Sequence, residues 1–97
     1  MSMRPLTVVR KALLKEFGGL WPNRRAAVQA IRDCTYKGSD DPGGWSPSAP
    51  VVIHCESGLP SPLYDAMVLW DRVDNDLSEA GLYHEPVNGA VVVVYPA

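Results

Sequence analysis

The fold of this chain is decided by residues 50–77, PVVIHCESGLPSPLYDAMVLWDRVDNDL. The stretch begins with β-branched residues, which favour a pleated, half-buried surface, and we predict a strand at Val51–Cys55. Gly58 and Pro60 then interrupt the strand pattern and predict a tight turn. The residues beyond this turn follow a different period, so the stretch predicts a strand–turn–helix unit.

The second half of the stretch predicts a long helix. Ser61 suits the N-cap, because its hydroxyl can accept a hydrogen bond from a free backbone N–H, and Pro62 suits the first helical position. Gly81 is predicted to end the helix. Apolar residues recur at spacings of three and four and predict one buried stripe: Leu63, Met67, Trp70, Val73 and Leu77.

The turn after His54 resembles the phosphate-binding loop of protein tyrosine phosphatases. In that family a buried strand delivers His-Cys, a glycine follows three residues after the cysteine, and an arginine six residues after it precedes a helix. Cys55 and Gly58 match this pattern, whereas Ser61 stands in place of the arginine. Without a guanidinium the loop lacks its main phosphate partner. We therefore expect Cys55 to be chemically quiet and the protein not to be an enzyme; a phosphatase-like thiol enzyme is the second alternative.

The remaining segments predict two helices and a hairpin. Pro5–Phe17 has apolar residues on one side, and Asn23 can cap a second helix from Arg24 to about Tyr36. Asn88-Gly89 is a strong hairpin turn, and the four valines after it favour a strand covered on both faces. The predicted fold is α+β in a single domain, residues 1–97. It has two N-terminal helices, then a strand, a helix and a β-hairpin that form a three-stranded sheet.

Charge is divided unevenly along the chain, although its net value is only −2. Residues 1–37 contain eight basic and two acidic residues, whereas residues 38–97 contain one basic and nine acidic residues. Either the two halves pack together and neutralise each other, or the molecule presents a basic face and an acidic face to partners.

The basic segment also resembles a helix-turn-helix. Gly18-Gly19 would be the turn, and Arg24 and Arg25 would open the helix offered to a DNA groove. The helix followed by a hairpin resembles the wing junction of winged-helix proteins, but five acidic residues on that helix would repel phosphates. Nucleic-acid binding is therefore an alternative function.

The function favoured by these patterns is that of a small, non-enzymatic protein-binding module, such as an inhibitor, adaptor or accessory subunit. Small proteins of this kind are common among phage and bacterial accessory genes. Trp45, in the long loop Lys37–Pro50, is a candidate interface anchor. The predicted partner-binding residues are Arg10, Lys11, Arg24, Arg25 and Trp45. The expected partner is a protein with an acidic surface.

We expect no cofactor and no metal, since the two cysteines and two histidines show no paired ligand spacing. No apolar run is long enough to span a membrane, and the N-terminal residues lack the apolar core of a signal peptide. A cytoplasmic protein with reduced cysteines is therefore expected.

Overall fold

A computed structural model describes residues 4–63 and 66–97. In this part of the chain the α-helices are α1 (Pro5–Phe17), α2 (Arg24–Cys34) and α3 (Met67–Ser78), and the β-strands are β1 (Thr35–Tyr36), β2 (Val51–His54), β3 (Leu82–Pro86) and β4 (Val91–Pro96). Short 3-10 turns follow α1, β1 and β2. The predicted α+β class is confirmed, as are the bounds of α1 and the Asn23 cap of α2, whose side chain accepts a hydrogen bond from Ala26 N–H at 2.9 Å.

All strands pair antiparallel in one sheet with the order β1-β2-β4-β3. The hairpin prediction is confirmed, because β3 and β4 are neighbours and Asn88 Oδ1 accepts hydrogen bonds from the N–H groups of Ala90 and Val91. The valine run lies in an inner strand, as predicted, and its side chains are buried on both faces of the sheet.

The prediction of three strands was wrong, because Thr35 and Tyr36 form a fourth strand instead of the last turn of α2. Thr35 has an extended backbone and lies opposite Ile53 in β2. Its hydroxyl donates to the carbonyl oxygen of Ile31 at 2.7 Å and closes the end of the helix. Long-range pairing with β2 therefore overrides the helical pattern that precedes it.

The predicted start of the third helix was also wrong. Ser61 and Pro62 lie in a turn, where the Ser61 hydroxyl accepts a hydrogen bond from Leu63 N–H, and α3 begins only at Met67. As a result Leu63 and Met67 are 46% and 67% exposed instead of lying in the core. Of the predicted stripe, the buried members are Trp70, Val73 and Leu77.

The helices cover one face of the sheet, and Trp70 lies at the centre of the core between them. Its ring centroid is 5.5 Å from that of Phe17 in α1 and 5.3 Å from that of His84 in β3. Its indole N–H donates to the carbonyl oxygen of Pro60 at 2.7 Å. One side chain thus joins α3 to α1, to the hairpin and to the segment after β2.

The Lys37–Pro50 loop covers the opposite face of the sheet. Ala49 packs against the valines of β2 and β4 that face away from the helices. The hydroxyl groups of Ser46 and Tyr95 are 3.1 Å apart. Asp41 holds the loop in place: its buried carboxylate accepts hydrogen bonds from the N–H groups of Gly43 and Trp45 and lies 2.6 Å from His54 Nε2. A single acidic side chain therefore ties the loop to β2.

The free edge of β3 lies beside α3. Asp74 Oδ1 accepts the His84 backbone N–H at 3.0 Å and is 2.9 Å from His84 Nδ1. Two residues further along the same edge, Pro86 has no N–H to offer. Thus a helix side chain occupies a backbone donor that sheet pairing leaves unused.

Candidate partner-binding groove

A groove of about 260 Å³ runs between α1 and α2. Its lining combines positive charge, one hydroxyl and an apolar floor: Arg10, Lys11 and Arg32, then Thr7, then Leu14, Val28 and Ile31. Among the described residues that line it, none carries a carboxylate. The groove can therefore receive a negatively charged group beside an apolar one.

Arg10 is the most rigidly held of the three cations. Its Nε donates to Thr35 Oγ1 at 2.8 Å and its Nη2 donates to the Thr35 carbonyl oxygen at 3.1 Å. Partial burial lowers the pKa of this guanidinium, and the nearby positive charge of Arg32 lowers it further. Arg10 and Arg32 are therefore close enough for their positive charges to interact.

A second recess, between α1 and α3, has a volume of about 320 Å³ but different chemistry. It is lined by Lys11 and Lys15 on α1 and by Asp76 and Glu79 near the end of α3. Lys15 Nζ lies 3.1 Å from Asp76 Oδ1. Within residues 4–63 and 66–97 this is the one pair between a Lys or Arg and a carboxylate. The basic and acidic halves of the chain thus meet between α1 and α3, whereas α1 and α2 both belong to the basic half.

Three of the four predicted basic residues line two recesses between α1 and α2 that share Leu14. Arg10 and Lys11 lie in the groove, and Arg24 lines a recess that continues from it past Leu14 towards Trp21. Arg25 is exposed beside Arg24 and lines neither recess.

Sequence reasoning missed Arg32, which completes the cationic cluster. The sequence does contain a signal for Arg32. Counted from Arg24, Val28, Ile31 and Arg32 follow after four, seven and eight residues, so all of them share one face of the helix.

The structure does not bring Trp45 to this groove. Trp45 is 51% exposed and lies in the loop on the sheet face opposite the helices. Its neighbour His54 belongs to that same face, stacking edge-on against Tyr36 at a centroid distance of 5.5 Å. Trp45 and the basic groove are therefore separate surfaces, and a role for Trp45 as a contact residue stays a prediction.

Cys55 lies in the core and shows no sign of activation. Burial raises the pKa of its thiol to about 12, and the nearby Cys34 thiol adds to the rise. Burial likewise raises the pKa of Cys34 to about 11. In the described part of the chain the next α-helix begins only at Met67, so helix amides do not follow the Cys55 turn as they do in the phosphatase loop. Both thiols are protonated at neutral pH.

We expect both cysteines of the folded protein to react with a disulfide reagent at neutral pH at least about a hundredfold more slowly than a free thiol, because burial excludes the reagent and suppresses the thiolate. Full reactivity should return in denaturant. A Cys34→Ser variant isolates Cys55, and Ser39→Cys places an exposed thiol on the same protein as a positive control. Fast labelling of Cys55 in the folded Cys34→Ser variant would contradict the expectation.

Among the described residues, no group of three or more His, Cys, Asp or Glu side chains is arranged to hold a metal ion. None of the helices in that part of the chain is both long and apolar enough to cross a bilayer.

Comparison with known proteins gives no match to a family model, to a curated protein or to a solved structure. The side chains of the groove are therefore the basis on which a function can be inferred.

Proposed function

We propose that the protein is a binding module that recognises an acidic segment of another protein in the groove between α1 and α2. The observation that carries this proposal is the cluster of Arg10, Lys11 and Arg32 over an apolar floor, with no carboxylate among the described lining residues. Arginine forks bind carboxylates with two parallel hydrogen bonds, and uncompensated charge of one sign attracts and orients a partner of the other sign.

The apolar floor supports a peptide ligand. Leu14 and Val28 are partly exposed at the groove, and Ile31 is buried beneath them. A partner side chain such as leucine would gain free energy by covering this surface, at roughly 25 cal/mol per Å² of apolar area removed from water. Acidic residues on either side of that leucine would pair with the cations. The preferred ligand is thus acidic with apolar residues interspersed.

The test measures fluorescence anisotropy with a labelled short peptide in which glutamates surround two leucines. Its matched control peptide replaces each glutamate with glutamine. We expect the acidic peptide to bind and Arg32→Glu to weaken its affinity by roughly tenfold or more, which corresponds to about 1.4 kcal/mol. Arg72→Glu reverses another exposed arginine, on α3 and outside the groove, and should change the affinity less than about twofold.

Two outcomes would overturn the proposal. If the glutamine peptide bound as tightly as the acidic peptide, the groove would not recognise negative charge. If Arg32→Glu and Arg72→Glu weakened the affinity equally, the net charge of the protein rather than the groove would determine binding. A duplex DNA probe tests the nucleic-acid alternative. Binding of that duplex in preference to the acidic peptide, with log affinity falling by about 0.9 per contacted phosphate against log salt, would replace this proposal with a DNA-binding function.

A further inference from the structure

We propose that the charged end of this groove, formed by Thr7, Arg10, Lys11 and Arg32, is a site for a phosphomonoester dianion, and that the acidic segment it takes is a phosphoserine or phosphothreonine peptide. This inference rests on the proposed function and makes it more specific. It concerns the one end of the groove where hydrogen-bond donors of several kinds converge.

The charged end of the groove offers several hydrogen-bond donors, and some of them are oriented before a ligand binds. A guanidinium has five N–H groups, and Arg10 uses its Nε and Nη2 on Thr35, which leaves about three N–H groups without a partner among the described residues. Because Thr35 is itself tied to α2 through the Ile31 carbonyl oxygen, the guanidinium is oriented before a ligand arrives. Such preorganisation lowers the entropic cost of binding.

Charge distinguishes a phosphoryl group from a carboxylate at this site. Three positive side chains line one recess, and a single carboxylate would neutralise only one of them. A phosphorylated side chain carries about −1.5 to −2 charges at neutral pH and three strong acceptor oxygens. The guanidinium groups of Arg10 and Arg32 can each bind phosphoryl oxygens with two hydrogen bonds, and the ammonium group of Lys11 adds a compact positive charge. The Thr7 hydroxyl adds a neutral donor.

The groove also predicts where an apolar residue of the ligand lies. Leu14 is one turn beyond Arg10 on α1, a rise of about 6 Å along the helix axis. Two residues of an extended peptide span about 6.6 Å. A peptide with a leucine two residues from the phosphorylated side chain can therefore place the phosphate at the cations and the leucine on the floor near Leu14 and Val28.

The test compares three labelled peptides that share one frame, with a leucine two residues to each side of a central position. The central residue is phosphoserine, glutamate or serine. We expect the phosphoserine peptide to bind about tenfold more tightly than the glutamate peptide at neutral pH, and the serine peptide to bind most weakly. Arg32→Gln and Lys11→Gln should remove most of the difference between phosphoserine and glutamate, whereas Arg72→Gln should preserve it.

A pH series provides a second readout. The second pKa of a phosphomonoester is about 6, so the phosphopeptide should gain affinity between about pH 5.5 and pH 7.5 as it becomes a dianion. The charged members of the groove are Arg10, Lys11 and Arg32, and both histidines lie on the sheet outside it. The glutamate peptide should show no such rise.

Each outcome decides between the two proposals. If the glutamate and phosphoserine peptides bind equally, the phosphomonoester site is wrong while the acidic-segment function stands. If neither peptide binds better than the serine peptide, both proposals fail. Inorganic phosphate that binds as tightly as the phosphopeptide would show a free-anion site, and tighter binding of duplex DNA would assign the cations to phosphodiesters; either result overturns the phosphopeptide proposal.

Discussion

Trp70→Ala is expected to lower the free energy of unfolding by about 3–5 kcal/mol, a large share of the stability of a domain of this size. The substitution leaves a cavity where the indole packed against Phe17 and His84, and it leaves the Pro60 carbonyl oxygen without its donor. Thermal unfolding followed by circular dichroism should show a midpoint at least about 12 °C below that of the wild type.

Trp70→Phe is the matched control. It keeps an aromatic ring in the core but removes the indole N–H that donates to Pro60. We expect it to cost less than half as much as Trp70→Ala, because most of the apolar contact is retained. If alanine and phenylalanine were equally destabilising, the hydrogen bond rather than the packing of the ring would be the main contribution at this position.

Asp41→Ala is expected to lower the free energy of unfolding by about 3 kcal/mol, the second largest expected effect after Trp70→Ala. It removes a buried carboxylate that accepts from Gly43 N–H and Trp45 N–H and pairs with His54. The Lys37–Pro50 loop should then detach from the sheet, which limited proteolysis would report as new cleavage within the loop. Asp40→Ala changes the exposed neighbouring carboxylate and should stay within about 0.5 kcal/mol of the wild type.

The contribution of Asp41 should also depend on pH in one direction. Burial alone would raise the pKa of this carboxyl, but the hydrogen bonds from His54, Gly43 and Trp45 outweigh burial and hold the pKa below its usual value of 3.8. Because the folded chain then binds the proton less readily than the unfolded chain, the stabilisation is complete above about pH 4 and is lost as the pH falls through the folded pKa. The stability difference between wild type and Asp41→Ala should therefore shrink in acid. A difference that stays constant down to about pH 2 would contradict this account.

The parts of the fold that could be predicted are those determined by neighbours in sequence. The bounds of α1 follow from Pro5 and Gly18 with apolar spacing between them, the start of α2 follows from the Asn23 cap, and the hairpin follows from Asn88-Gly89. In each case the local hydrogen bonds or backbone preferences agree with the tertiary structure.

The parts that could not be predicted depend on contacts between distant residues. Thr35 and Tyr36 become a strand only because β2 lies beside them. Ser61 carries a strong helix-start signal, yet its hydroxyl closes a turn on Leu63 instead. The cationic groove was half predicted: the basic residues of α1 were recognised, but Arg32 joins them only because α2 packs with that face towards α1.

The contact between Asp74 and His84 has a consequence for how this molecule behaves among many copies of itself. An exposed strand edge is a template on which another chain can continue the sheet. Here the His84 N–H is already occupied by Asp74, the next outward position is Pro86, and the opposite edge of the sheet is the two-residue strand β1. The carboxylate on α3 thus occupies a backbone donor at this edge and makes the edge a poor place for aggregation to begin.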